Sequence, residues 1–283
     1  MSYSVKLSRG ELIKLKKNQI KILNLAIAVG LLANPVSAFK EKDISWGIPK
    51  KDKAETQPYP GHEYDGIVRE NDAYYIGEAD DMVVYLTFDC GYENGHLPMI
   101  LDALLEKQIP ALFFITGHFM ESEPDLLRRM VDEGHLVGNH TYDHPNLTTV
   151  SKSEFFQEIN RAEEKFFEIT GQTMAKYLRP PEGRFNQEML DWAEEAGYYT
   201  ILWSLAYVDW HVDGQKGADY AHEQIMSRLH PGAIILLHST SSDNAQVMAR
   251  LIRSVEEAGY EFKSLQHLLV DDLLEENMLI IVE

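Results

Sequence analysis

Met82-Val-Val-Tyr-Leu-Thr-Phe-Asp-Cys-Gly-Tyr-Glu-Asn-Gly-His96 is the stretch on which the reading of this chain turns. Met82 to Phe88 is an almost unbroken apolar and β-branched run, the pattern of a strand buried on both faces of a parallel sheet. It leads straight into Asp89, Cys90 and Gly91, so a buried strand delivers a carboxylate to its own C-terminal end. In parallel α/β proteins that edge of the sheet is where ligands bind and chemistry occurs. Taken alone, Asp89 reads first as a cap for the following helix. Its partners further along the chain reverse that preference.

Working outward, comparable runs occur at 111–116, 136–139, 176–179, 198–204, 233–238 and 260–264, with helical stretches between most of them. Seven β/α units in series imply an α/β fold, a deformed (β/α)7-8 barrel of parallel strands. Helix ends agree with this count. Pro124 opens a segment with Leu127, Met130 and Val131 on one face, and Gly134 closes it; Val247, Leu251 and Val255 are spaced by four and precede Gly259. Glu-Glu-Ala-Gly-Tyr occurs at 194–198 and again at 256–260, each time between a helix and a strand, as a repeated solution to one turn.

With 283 residues, 45% of them hydrophobic, the chain can bury one barrel-sized core with extensions. Lys6, Arg9, Lys14, Lys16, Lys17 and Lys21 precede an apolar stretch, Ile22 to Ala33, that ends in Val36-Ser37-Ala38. This is a secretory signal pattern over 1–38 with a cut after Ala38, an uncleaved anchor being the alternative. Residues 39–80 are polar, punctuated by Pro49, Pro58 and Pro60, and carry Trp46, Tyr59, Tyr64, Tyr74 and Tyr75. They are expected to form an N-terminal extension packed by its aromatics on a barrel of residues 81–270, with 271–283 as a tail. Setting aside 1–38 removes six basic residues and Glu11 from totals of 26 and 45, leaving 20 against 44, a formal charge of −24. Such a surface repels nucleic acid and anionic lipid. Cys90 is the only cysteine, so no intrachain disulfide can form and stability must come from the core.

Further strand ends supply candidate partners for Asp89. His140-Thr-Tyr-Asp-His144 follows the third strand, and two histidines four apart on one side of a helical turn can reach a single metal ion. Pro145 ends that turn and places both imidazoles at a strand-to-loop junction. Leu178-Arg-Pro-Pro-Glu-Gly183 ends the fourth strand with a stiffened loop that holds Arg179. Val208-Asp-Trp210 follows the fifth and sets a carboxylate beside an indole; Ile234-Ile-Leu-Leu237 delivers His238.

In order and spacing, Thr87-Phe-Asp-Cys-Gly91, His140-Thr-Tyr-Asp-His144, Arg179-Pro-Pro-Glu-Gly183, Val208-Asp-Trp210 and Leu236-Leu-His238 resemble the five motifs of the polysaccharide deacetylase (NodB-homology, carbohydrate esterase family 4) proteins. The resemblance spans roughly Tyr85 to Leu269. The family comprises metal-dependent de-N-acetylases of chitin, peptidoglycan and related glycans. Ser45-Trp-Gly47, Gly91-Tyr-Glu-Asn-Gly95, Thr116-Gly-His-Phe119, Gly138-Asn-His140 and Lys216-Gly217 look most like its δ-lactam-biosynthetic branch, which acts on N-acetylmuramic acid in the spore cortex.

The resemblance implies a divalent ion, Zn²⁺, held by His140 and His144 to polarise the acetamide carbonyl and acidify water. Asp89 is then the general base, His238 the acid that protonates the departing amine, and a backbone N–H near Gly91 an oxyanion donor. Arg179 would orient Asp89 and keep it ionised, and Asp209 would do the same for protonated His238. Trp210 could stack on a sugar ring or simply pack the wall. The implied substrate is the glycan strand of peptidoglycan, after a muramoyl amidase has removed the stem peptide, with the enzyme acting as an exported monomer at the cell wall or forespore cortex of an endospore former.

Two departures qualify this. The wider family has a metal-ligating Asp where this chain has Cys90, and the branch typically has Asn; Cys90 could restore a ligand as thiolate or pack as a small apolar group. The branch often has Arg where this chain has Glu182, and that Arg suits the lactyl carboxylate. Arg184 could substitute, but Glu182 opposes the same carboxylate. Alternative readings are therefore an N-acetylglucosamine deacetylase of peptidoglycan or chitin type and, in another class, a glycan-binding pseudoenzyme.

Overall fold

The computed structural model describes residues 43–48 and 56–269; the signal segment 1–38 and the tail 271–283 lie outside the described residues. In chain order the elements are β1 (Ile44–Ser45), α1 (His62–Arg69), β2 (Ala73–Tyr74), β3 (Val83–Cys90), α2 (Leu97–Lys107), β4 (Ala111–Ile115), α3 (Gly117–Ser122), α4 (Pro124–Asp132), β5 (Leu136–Asn139), α5 (Lys152–Thr170), β6 (Tyr177–Leu178), β7 (Arg184–Phe185), α6 (Gln187–Glu195), β8 (Tyr199–Ile201), β9 (Leu205–Ala206), α7 (Ala218–Met226), β10 (Ala233–His238), α8 (Ser242–Glu257) and β11 (Glu261–Phe262).

Nine strands form one parallel sheet in the order β2-β8-β6-β5-β4-β3-β10-β9, with β11 paired to the first residues of β3. The sheet curls into the deformed α/β barrel expected. All eight residues of β3 are buried, and their alternation sets two layers. Val83 and Tyr85 face a core inside the curl with Leu112, Phe114, Tyr177, Ile201 and Ile234. Val84, Leu86, Phe88 and Cys90 face the helices, against residues such as Leu101, Leu104, Val247 and Leu251. Asp89 shares the parity of the inward set, because successive strand side chains point to opposite faces.

One expected strand is not continuous. Of the run 198–204 only Tyr199–Ile201 is strand, as β8; the residues after it cross to β9, which lies at a different place in the sheet. The Leu202 amide still donates to Tyr74 O (2.8 Å) beside β2, while the Ser204 amide donates to Ile234 O (3.0 Å) on β10. Within two residues the chain leaves one side of the sheet and joins the other, so the curl is closed at this point by covalent chain. Along the same seam, Gly77 N donates to Gly232 O (2.7 Å). A Cβ on Gly232 would sit 2.5 Å from the Gly77 carbonyl carbon, and its φ is +70°, so only glycine fits this approach.

Strand β2 comes from the stretch read as an N-terminal extension and pairs with β8. Ile44, Trp46, Val68 and Tyr75 share a core with Phe155, Phe185 and Met189, and β1 pairs antiparallel with β7.

Candidate active site

The parallel register puts His238 directly opposite Asp89 on neighbouring strands. Both side chains line a cavity of about 740 Å³ together with Gly91, His140, His144, Glu182, Trp210 and others. Strand geometry alone thus sets a carboxylate and an imidazole side by side.

Asp89 is tied from below. Arg179 is fully buried and its guanidinium Nη1 donates to Asp89 Oδ1 at 2.8 Å. Three further N–H groups go to Thr87 Oγ1 (2.9 Å), Ile201 O (3.0 Å) and Leu202 O (3.1 Å). The last two carbonyls belong to the crossing between β8 and β9, so Arg179 serves the barrel closure and the carboxylate together. Its guanidinium carbon also lies 4.2 Å from the Phe114 ring centroid. Burial pushes the Asp89 carboxyl up, but the Arg179 charge, reinforced by His140 and His238 whenever they are protonated, outweighs it and holds the group below the usual carboxylate range. Asp89 is therefore ionised at neutral pH.

The helix-capping alternative for Asp89 is filled by another residue. Glu93 accepts the amides of Gly95, His96 and Leu97 at the start of α2.

His140 and His144 do come together, with ring centroids 4.8 Å apart, but not on a helical turn. Thr141 and His144 both adopt left-handed backbone conformations, φ +65° and +56°, each costing on the order of 1–3 kcal/mol. The loop is held in that shape by side chains. Asn139 Oδ1 accepts Thr141 N (2.8 Å), and Glu158 Oε2 on α5 accepts the amides of Tyr142 (3.0 Å) and Asp143 (2.7 Å). His140 Nδ1 donates to Arg179 O at 2.8 Å, which leaves Nε2 with its lone pair, 3.5 Å from Asp89 Oδ2. Burial depresses both imidazoles, His140 to about 4. Two neutral histidine nitrogens are what a divalent ion requires as ligands. Among the described residues no group of three or more His, Cys, Asp or Glu is gathered in metal-holding geometry; the donors of this kind that the site brings into ring contact are the two imidazoles of His140 and His144.

His238 Nδ1 and Asp209 Oδ1 are 2.7 Å apart. Burial lowers the His238 pKa, yet the buried Asp209 carboxylate outweighs it and raises the group above its ordinary value. The imidazolium therefore persists to higher pH than in a free histidine, and in that form Nε2 is its second donor. The alkaline limb of a pH–rate profile is expected above the range of a free imidazole, and Asp209→Asn is expected to move that limb down; an unmoved limb would show that another group titrates. Trp210 is 45% exposed and its ring centroid lies 5.5 Å from that of His238, so it lines the cavity instead of packing in the core.

A profile of the polysaccharide deacetylase family matches residues 76–201. The peptidoglycan-N-acetylmuramic acid deacetylase PdaA of Bacillus subtilis is 39% identical over 239 residues, 84% of this chain and 90% of that protein. This chain belongs to the polysaccharide deacetylase family. The solved structure of B. subtilis PdaA, a family 4 carbohydrate esterase, superposes with a TM-score of 0.78 over 82% of this deacetylase and 98% of that chain. A peptidoglycan-N-acetylglucosamine deacetylase of Bacillus cereus is 34% identical over 197 residues, 68% of this chain and 70% of that protein.

Cys90, for which the sequence leaves two roles open, sits on the helix-facing side of β3 with Leu97, Ile100 and Leu101, fully buried. Burial pushes its thiol well up, and its parity turns it away from the histidines. In this deacetylase it packs as a small apolar group. Cys90→Ser is expected to leave divalent-metal affinity unchanged while costing about 1–3 kcal/mol of stability for a buried hydroxyl; a tenfold loss of affinity by metal titration would instead identify the thiolate as a ligand.

Arg184 does not reach the cavity. It lies on β7 with Nη2 bonded to Asp43 (2.7 Å) and Nη1 3.8 Å from Glu182. Glu182, at φ +58°, lines the cavity in its place. Three residues with no sequence-level role stand close to the chemistry. His118 lines the cavity; its only signal was the Thr116-Gly-His-Phe119 resemblance. Glu158 acts through the loop from within α5 and Asn244 through Asp209 from the first turn of α8, both from positions that look like ordinary polar helix residues.

Proposed function

We propose that this deacetylase removes the N-acetyl group of N-acetylmuramic acid in peptidoglycan, the step that precedes closure of the freed 2-amine onto the lactyl carboxyl as a δ-lactam. The observation that carries the hydrolytic reading is the pairing of two oppositely tuned groups in one cavity, Asp89 with its carboxyl lowered by Arg179 and His238 with its imidazolium favoured by Asp209. A binding module has no use for such a pair, which weighs against the pseudoenzyme.

His140 and His144 would hold a divalent ion, Zn²⁺ by donor type; bound there it would supply Lewis acidity to the acetamide carbonyl and to water. Asp89 takes the proton of the attacking water on its Oδ2, the oxygen not engaged by Arg179. His238 gives its Nε2 proton to the departing nitrogen. Gly91, at the rim of the same cavity, offers its amide to the oxygen on which charge develops. Trp210 stacks against the sugar and excludes water from one side.

Muramic acid is favoured by the extent of the similarity to the B. subtilis enzyme, which reaches 90% of that protein. One observation favours the second reading, N-acetylglucosamine: Glu182 lines the cavity while Arg184 is occupied by Asp43. If muramic acid is the substrate, a muramoyl amidase acts first, since the lactam requires a free lactyl carboxyl. The setting is then an exported monomer at the cell wall or forespore cortex, using the signal pattern in 1–38.

Mass spectrometry of glycan strands incubated with residues 39–283, with and without Zn²⁺, tests this. Loss of acetyl and then of water on peptide-stripped muramic acid alone is the expected result. Acetyl loss from N-acetylglucosamine would replace the muramic acid reading with the second. Binding without any acetyl loss would overturn both.

A further inference from the structure

Asp209 is 1% exposed, and a buried carboxylate is stable only where its oxygens are fully bonded. Oδ1 meets His238 Nδ1. Oδ2 accepts two donors, the His238 amide at 2.8 Å and Asn244 Nδ2 at 2.6 Å. Asn244 is itself fully buried, and its Oδ1 accepts the Tyr207 hydroxyl at 2.6 Å. With the amide flipped, that oxygen would face the Asp209 carboxylate, so the rotamer shown is the only one electrostatics permits.

The contact belongs to a closed ring. Asn244 N donates to Ser241 Oγ (3.1 Å), Ser241 Oγ donates to Gln215 Oε1 (2.6 Å), and Gln215 Nε2 donates to Asp209 O (2.8 Å). Asn244 Nδ2 then closes the circuit on the Asp209 side chain. The first turn of α8 therefore grips both the backbone and the carboxylate of the residue that holds His238. The Ser241 cap alone would stabilise the helix without Asn244's amide; the amide points at Asp209.

We propose that Asn244 is a positioning residue of the deacetylase, aiming Asp209 at His238 Nδ1 so that the imidazolium presents its Nε2 proton to the leaving nitrogen, with Tyr207 fixing the amide from behind. This rests on the hydrolytic reading above, in which His238 protonates the departing amine. The ionisable groups acting on His238 include Asp209, Asp89 and Arg179, with His144 also coupled to it, and none of them makes the Asn244 contact on Oδ2.

Chemistry supplies a test that a merely structural role would not pass. An acetamide loses an amine that must be protonated, whereas 4-nitrophenyl acetate loses a phenolate that needs no proton. Asn244→Ala is expected to lower kcat for the acetamide by about 10–100-fold at unchanged KM, while 4-nitrophenyl acetate hydrolysis stays within about twofold of wild type. Tyr207→Phe is expected to give the same pattern at a smaller amplitude. Equal losses on both substrates, or no loss on either in a folded variant, would overturn the proposal. Wild-type protein inactive on every acetamide would instead count against the hydrolytic reading. The positioning role is then still decided by proton NMR: the low-field Nδ1–H signal of His238 is expected in wild type and lost in Asn244→Ala and Tyr207→Phe, and its persistence in both would overturn the role.

Discussion

Asp89→Asn is expected to lower kcat/KM for deacetylation by roughly 10²–10⁴-fold, the usual contribution of a positioned general base. The amide keeps the shape of the carboxylate and cannot take a proton from water. The substitution is not silent for the fold, however. Arg179 is fully buried and Asp89 is its only carboxylate partner among the described residues, so the variant leaves a guanidinium uncompensated in the barrel. Removing one partner of a buried pair costs about 3–5 kcal/mol, and urea unfolding is expected to show a loss of that order. Activity within threefold of wild type would remove Asp89 from the mechanism. An unchanged unfolding midpoint would show that Arg179 is satisfied by Thr87 and the carbonyls of Ile201 and Leu202 alone.

Arg179→Met is expected to do more damage to the fold. It strands the Asp89 carboxylate, and it also releases Ile201 O and Leu202 O, the carbonyls at the point where the chain crosses from β8 to β9. The loss is expected at or above about 3–5 kcal/mol. The direction of the pH effect follows from the balance at Asp89. Burial is the largest influence and acts upward, and Arg179 is the first of the charges that reverse it. Without that charge the carboxyl titrates higher, so the acid limb of the pH–rate profile is expected to move to higher pH. In wild type, the depressed carboxyl contributes stability above the ordinary carboxylate range, lost only as pH falls through its lowered value; in the variant this contribution is reduced. The double variant Asp89→Asn with Arg179→Met is expected to be more stable than either single one while remaining inactive, because no charge is left buried. Additive losses of stability would show that the two side chains do not act as a pair.

Both expectations begin in features that a sequence can display. The apolar run before Asp89, the Pro-Pro after Arg179 and the apolar run before His238 each mark a strand that ends in a functional side chain. Strand period then dictates that Asp89 faces inward and Cys90 outward, so the role of Cys90 was in principle legible from parity once β3 was known to extend through it. The histidine pair was legible as a pair and misread as a helical turn, because spacing by four suggests a helix while the loop with left-handed Thr141 and His144 is held by Asn139 and by Glu158, the latter a residue from another element.

By itself the sequence determined the parallel α/β barrel, the family and the residues that carry charge at the strand ends, since those follow from local periodicity and from motif order. Tertiary structure alone decided that 198–204 breaks to close the barrel, that Arg179 binds that break to Asp89, that Arg184 is spent on Asp43, and that Asn244 grips Asp209. Each of these is a hydrogen bond or ion pair between residues distant in the chain, and the direction of a polar side chain is set by whichever partner folding brings within about 3 Å of it.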